Sequence, residues 1–130
     1  MKNLLLIGLD PGSIDYSAPN VPAGTTAETL VADLADVQKQ FADQGNHLDL
    51  CSAKLDGSAE APVTAQLAHA TYDCILIGGG IREPENLELF ESIVNSIHRH
   101  APGAAIGFVD HPQNGPEAAA RVMSQDYKRV

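Results

Sequence analysis

Three consecutive glycines, Gly78, Gly79 and Gly80, precede Arg82, and this short stretch has more capacity for binding chemistry than any other in the chain. A backbone without Cβ atoms lets a ligand come close, and amides leading into a helix point at an anion. Arg82 adds a forked donor set that matches phosphate or carboxylate. The competing reading is plainer: the glycines permit a tight turn, and Arg82 pairs with Glu83, Asp10 or Asp110. Neither G-x-G-x-x-G nor G-x-x-x-x-G-K-[ST] occurs, so the formal nucleotide fingerprints are absent and no cofactor follows from the residues.

A second group of reactive side chains is dispersed along the chain. Asp10, Asp15, Asp110 and His111 have the ligand types for a divalent cation, but acidic residues at strand ends are more often turn formers and solvated groups. No metal is therefore expected. Ser13, His111 and Asp110 have the composition of a hydrolytic triad, without the G-x-S-x-G elbow that exposes a nucleophile. A Cys51–His111 pair has no more support. Asp110 and His111 remain as a conceivable acid and base.

The elements that must position these residues follow from periodicity. Asn3 to Leu9 is apolar at nearly every position, the signature of a strand covered on both faces. Asp73 to Ile77 repeats that pattern and ends in the glycines. His47 to Cys51 alternates, as an edge strand does, and Ala105 to Val109 supplies a fourth strand. Between them, Thr25 and Glu28 form a capping box for a helix whose apolar residues are Leu30, Leu34, Val37 and Phe41, stopped by Gly45. Pro62, Val63, Leu67 and Ala70 mark a short second helix. Pro84 opens a third, which ends before Pro102. Asn114 and Glu117 frame a fourth, with Pro116 in its first turn, reaching about Lys128.

Alternating strands and helices predict an α/β class protein. The expected architecture is three-layer α/β/α with a four-stranded parallel sheet of order 2-1-3-4, flavodoxin-like or Rossmann-like and one strand short. Ligands of such sheets bind beyond the carboxyl ends of the strands, where the order reverses between the first and third strands. Asp10, Ser13, Gly78, Gly79, Gly80, Arg82, Asp110 and His111 all fall at that edge, and the long connection from Asp10 to Gly24 runs beside it.

The chain of 130 residues fits a single domain over 1–130, and 8 Lys+Arg against 17 Asp+Glu leave a net charge of −9. So acidic a protein, with its few basic residues scattered, is not expected to bind nucleic acid. No apolar run is long enough to cross a bilayer, and the run from Leu4 to Leu9 is too short for a secretory signal. Two cysteines, Cys51 and Cys74, are too few for a disulfide scaffold and lie at opposite ends of their strands. The expected setting is cytoplasmic and reducing.

In the third helix, counting 100° per residue from Leu87 places Leu87, Phe90, Ile93, Val94 and Ile97 on one stripe. Glu91, Asn95 and His98 flank it as a polar ridge, suited to a local polar network, a homodimer contact or a catalytic wall. His98 lies roughly three turns along, toward the amino edge of the sheet, which disfavours the last of these.

The segment Cys74-Ile-Leu-Ile-Gly-Gly-Gly-Ile-Arg82, followed by Leu89, Phe90, Glu91, Asn95, His98 and His100-Ala-Pro102, resembles a family of small bacterial flavodoxin-like, receiver-like α/β proteins of uncharacterised activity. The resemblance runs from the first strand nearly to the end and is most specific from Cys74 to Pro102. It implies the flavodoxin-like fold and assigns no activity to any residue. Two better-defined relatives of that fold are excluded by particular residues. A response-regulator receiver needs a phosphorylatable Asp where the glycines stand after the third strand. A flavodoxin needs a Ser/Thr-rich FMN phosphate loop opening the first helix, and Asp10-Pro-Gly-Ser-Ile-Asp15 leads into a long connection instead.

Three functions follow as expectations: binding of an anionic small molecule at the carboxyl edge by a homodimer, a receiver-like interaction module, or acid/base catalysis through Asp110 and His111.

Overall fold

The computed structural model describes residues 1–124. Four strands, β1 (Asn3–Leu9), β2 (His47–Ala53), β3 (Cys74–Gly78) and β4 (Ala105–Val109), form one sheet in the order β2-β1-β3-β4. All three pairings are parallel, and Leu4–Ile7 of β1 align with Cys74–Ile77 of β3 at its centre. Four helices connect and follow them: α1 (Ala27–Asp43), α2 (Glu60–His69), α3 (Leu87–His100) and α4 (Gly115–Met123). This is the expected flavodoxin-like arrangement.

The alternation of side chains along each strand divides the core between two faces. Leu4, Leu6, Cys74 and Leu76 pack with Val37 and Phe41 of α1 and Ala118 and Ala119 of α4. Leu5, Ile7, Ile75 and Ile77 pack on the other face with Val63 and Leu67 of α2 and Ile93 and Ile97 of α3. The two central strands are thus buried on both sides, which is why they read as unbroken apolar runs. Cys51 and Cys74 belong to opposite faces and are both free.

Three helix boundaries depart from the sequence reading. The capping box of α1 is made by Thr26 and Thr29 rather than Thr25 and Glu28. Thr26 Oγ1 accepts from the Thr29 amide at 3.1 Å, and Thr29 Oγ1 accepts from the Thr26 amide at 2.8 Å. Thr25 instead closes a turn onto the Pro22 carbonyl. Pro84 opens a 3₁₀ turn over Pro84–Asn86, and α3 begins only at Leu87. In α4 the helix ends at Met123 with Ser124 extended, and the expected reach to Lys128 lies outside the described residues. Gly45 does end α1: it takes a φ of +80°, which favours glycine, and its amide caps the Ala42 carbonyl at 2.9 Å.

The stripe on α3 is also rotated from the count. Ile93 and Ile97 are buried, joined by Ser96, while Leu87 stands 58% exposed and Phe90 and Val94 are half-buried. The face of α3 that meets the sheet is chosen by its packing against α2 and β3, which an internal count cannot supply. Among the described residues no helix is long and apolar enough to cross a membrane.

Candidate functional site

A cleft of about 700 Å³ opens at the carboxyl edge of the sheet. Its floor is made by the ends of β1 and β3, at Gly8, Leu9, Gly78, Gly79 and Gly80, and by Val109 at the end of β4. One wall is the start of α1, through Leu30, Asp33 and Leu34. The other is the turn that follows β3, through Arg82, Glu83 and Asn86, continued by Asp110 and His111 after β4. The long β1–α1 connection crosses the opening with Ser13, Ile14, Tyr16 and Asn20.

The connection owes its shape to local hydrogen bonds. Asp10 Oδ2 accepts from the Gly12 amide at 3.1 Å, which starts a 3₁₀ turn over Pro11–Ser13. The Tyr16 hydroxyl donates to the Pro11 carbonyl at 2.7 Å. Burial of that phenol, with the Asp10 charge second, pushes its pKa up. The Ser17 hydroxyl and amide both donate to Asp15 Oδ1, and these bonds hold the Asp15 carboxyl below the usual range. Asn20 Nδ2 then reaches across the opening to Glu83 Oε1 at 2.9 Å.

The glycine turn is shaped by contact with its neighbours. A Cβ on Gly80 would lie 2.7 Å from Leu9 Cδ1, so a side chain here would require the Leu9 side chain at the end of β1 to move. None of the three glycines has positive φ. The turn closes by the Arg82 amide donating to the Gly79 carbonyl at 3.1 Å, and Asn86 Nδ2 donates to the Gly80 carbonyl at 2.8 Å. Outside the sheet ladder, which pairs Gly78 with Val109, the Gly80 amide has no backbone hydrogen-bond partner among the described residues.

Arg82 is held from three sides. Its Nη2 donates to Asp110 Oδ1 at 2.9 Å and to the Val109 carbonyl at 3.2 Å. The guanidinium carbon lies 5.4 Å from the centroid of the Phe108 ring. Phe108 in turn meets Phe90 edge to face, with centroids 6.1 Å apart. Nε of Arg82 is buried without a partner among the described residues. Of the three pairings considered for Arg82, the one formed is with Asp110.

Seven of the eight residues assigned to the edge therefore line one cleft: Ser13, Gly78, Gly79, Gly80, Arg82, Asp110 and His111. Asp10 does not, because its carboxylate is turned into the Gly12 amide. The carboxylates and imidazole considered for a cation are not gathered, since Asp110 faces Arg82 and Asp15 faces Ser17. No set of three or more metal-ligating side chains converges among the described residues. No hydrogen bond joins Asp110 to the His111 side chain among those residues; the His111 amide bonds Asn114 Oδ1 instead. Cys51, which its burial keeps protonated, does not line the cleft.

The ridge Glu91, Asn95 and His98 is exposed on the outer side of α3 and contributes nothing to the cleft. Its internal bond is local, from Asn95 Nδ2 to the Glu91 carbonyl at 2.8 Å. Tyr16 and Asn20 are cleft residues that periodicity does not single out, and for Leu30 and Leu34 it indicates only a core-facing place. Leu30 and Leu34 do belong to the apolar stripe of α1, but their place on it, above the strand ends, is what turns them toward the opening.

No family model matches the chain, and no curated protein matches it.

Proposed function

We propose that the protein is a binding protein for a small polyhydroxylated anion, seated in the cleft at the carboxyl edge of the sheet. The observation that carries this reading is the meeting of the glycine turn, whose Gly80 amide has no backbone partner among the described residues, with the Arg82 guanidinium in one cleft at the strand-order switch. Amides and guanidinium together suit phosphate or carboxylate oxygens. The carboxylates of Asp15, Asp33 and Glu83 around the same cleft suit hydroxyl groups, which donate to them. The apolar surfaces of Leu30, Leu34 and Tyr16 suit a carbon skeleton.

The anion and Asp110 compete for Arg82. Asp110 is 81% exposed in its side chain, so it can swing into water when an anion arrives, at little cost to the fold. Acid/base catalysis has no geometric support beyond the proximity of Asp110 and His111 in sequence, and the reading includes no catalytic step. Two free, buried thiols suit a reducing, cytoplasmic setting.

The test is a thermal-shift series with inorganic phosphate, ribose 5-phosphate, glycerol 3-phosphate and citrate. A compound at a hundredfold excess over its Kd adds about 2.7 kcal/mol to stability. For a chain of this length that is a rise of roughly 10 °C. The expected result is a rise with at least one phosphate ester that Arg82→Ala abolishes. A rise that survives Arg82→Ala, or none with any of the four, overturns the reading.

A further inference from the structure

We infer that a second copy of this chain docks on the free edge of β4 and the adjoining flank of α3, around a two-fold axis. Among the described residues β4 ends the sheet, so one row of its backbone donors and acceptors is unpaired. Edge strands that stay single are blunted by charge, proline or a bulge. The opposite edge follows that rule: β2 carries His47 and Asp49, joined at 2.6 Å. Ala105–Val109 has no charged residue and no proline. The edge left unprotected is also the one beside exposed apolar side chains, with Phe108 44% and Leu87 58% exposed. Phe90, Val94 and Ile106 are half-buried next to them.

The occupant is a copy of the same surface for two reasons. An uncharged strand edge is a template for its own antiparallel pairing, and a two-fold axis makes that pairing closed. The flank of α3 is self-complementary as well. Glu91 and His98 are both exposed and seven residues apart, two helical turns, so they lie along one line of the helix. When two α3 helices cross antiparallel near Asn95, Glu91 of one copy faces the partner's His98, and the same pair recurs on the other side of the axis. Carboxylate acceptor thus meets imidazole donor twice. The net charge of −9 limits self-association to a region where carboxylates are sparse, and the five residues of β4 are such a region.

Sedimentation velocity on the full chain over a range of concentrations tests this. The expected mass is twice the 13.7 kDa of the chain. Leu87→Arg, at an exposed position where the fold does not need leucine, is expected to weaken the dimer at least tenfold, as is Phe108→Lys. Val31→Arg, on the 55% exposed Val31 of α1, is the control and is expected to leave the dimer intact. If Phe108→Lys unfolds, Leu87→Arg alone decides. A wild type that stays at 13.7 kDa up to hundreds of micromolar overturns the inference, and so does a dimer indifferent to Leu87→Arg. A mass that climbs past two copies also overturns it, because a two-fold contact closes.

Discussion

Arg82 lies with its guanidinium carbon 5.4 Å from the centre of the Phe108 ring while its Nη2 bonds Asp110 at 2.9 Å. The aromatic face and the Val109 carbonyl fix where the cation sits, and the exposed carboxylate neutralises it until something better arrives. The two partners therefore have opposite expected effects when removed.

Arg82→Ala is expected to abolish binding of phosphate esters. Its stability cost is only about 1 kcal/mol, from the lost ring contact and packing of the side-chain stem. Asp110→Asn is expected to tighten binding by roughly fivefold, the equivalent of about 1 kcal/mol for one exposed competing charge. Titration calorimetry with the best phosphate ester measures both. An Asp110→Asn protein that binds more weakly would show that Asp110 contacts the ligand rather than competing with it.

Gly80→Ala is expected to cost about 1–2 kcal/mol of stability, because the new Cβ meets Leu9 Cδ1 at 2.7 Å and the leucine must move. In a Leu9→Ala background the same substitution is expected to cost almost nothing. A double-mutant cycle in urea measures the coupling, and an unchanged cost without the leucine would refute the steric account.

The glycine turn shows how far the sequence carries and where it stops. Gly78 to Gly80 after an apolar strand, with Arg82 beyond, located the cleft, because strand termini in a parallel sheet converge whatever their side chains do. The doubly covered β1 and β3 and the alternating β2 set the strand order in the same way. What was not legible is what depends on rotation and distance. Leu87 falls outside the core because α2 and β3 set the rotation of α3. Tyr16 and Asn20 become cleft residues through turns made by Asp10 and Asp15, and Phe108 becomes the platform of Arg82 across 26 positions of sequence. Thr29 displaces Glu28 from the cap because its shorter hydroxyl bonds the Thr26 amide directly.

A polar network away from the cleft is a further case, since its members are 23 and 6 residues apart. Tyr72, almost wholly buried, donates to Asp49 Oδ2 at 2.7 Å, and Gln66 Nε2 donates to the Tyr72 oxygen at 2.7 Å. Tyr72→Phe is expected to cost about 1–2 kcal/mol. Burial, and then the Asp49 bond, push the Tyr72 pKa from its ordinary 10 to about 12. The folded state thus keeps a proton that the unfolded chain releases between pH 10 and 12, so stability falls with rising pH across that window. The Tyr72 hydroxyl, with His47 adding to it, lowers the Asp49 pKa, so the stability Asp49 contributes is present at neutral pH and lost as pH falls below the ordinary carboxylate value. Urea melts of wild type and Tyr72→Phe at pH 7, 10 and 12 check the alkaline arm. A difference between them that grows from pH 10 to 12 would contradict it.

Neither thiol is expected to react while the protein is folded. Burial, with the Asp73 charge adding to it, pushes the Cys74 pKa to about 12, and burial alone raises that of Cys51. Both are therefore protonated and covered at neutral pH. A chromogenic disulfide reagent is expected to label them only at the rate of unfolding, and complete in urea. Fast labelling of Cys51 in native protein would mean that the rim of β2 opens.

The most direct test of the anion site is a two-dimensional ¹⁵N–¹H spectrum of the wild-type chain, recorded while glycerol 3-phosphate is added. Amides that gain an anion as acceptor move downfield. A saturable downfield shift of the Gly80 amide is expected, accompanied by movement of the Arg82 side-chain signal and lost in Arg82→Ala. Shifts that leave Gly80 in place, or that fail to saturate, would contradict the anion site.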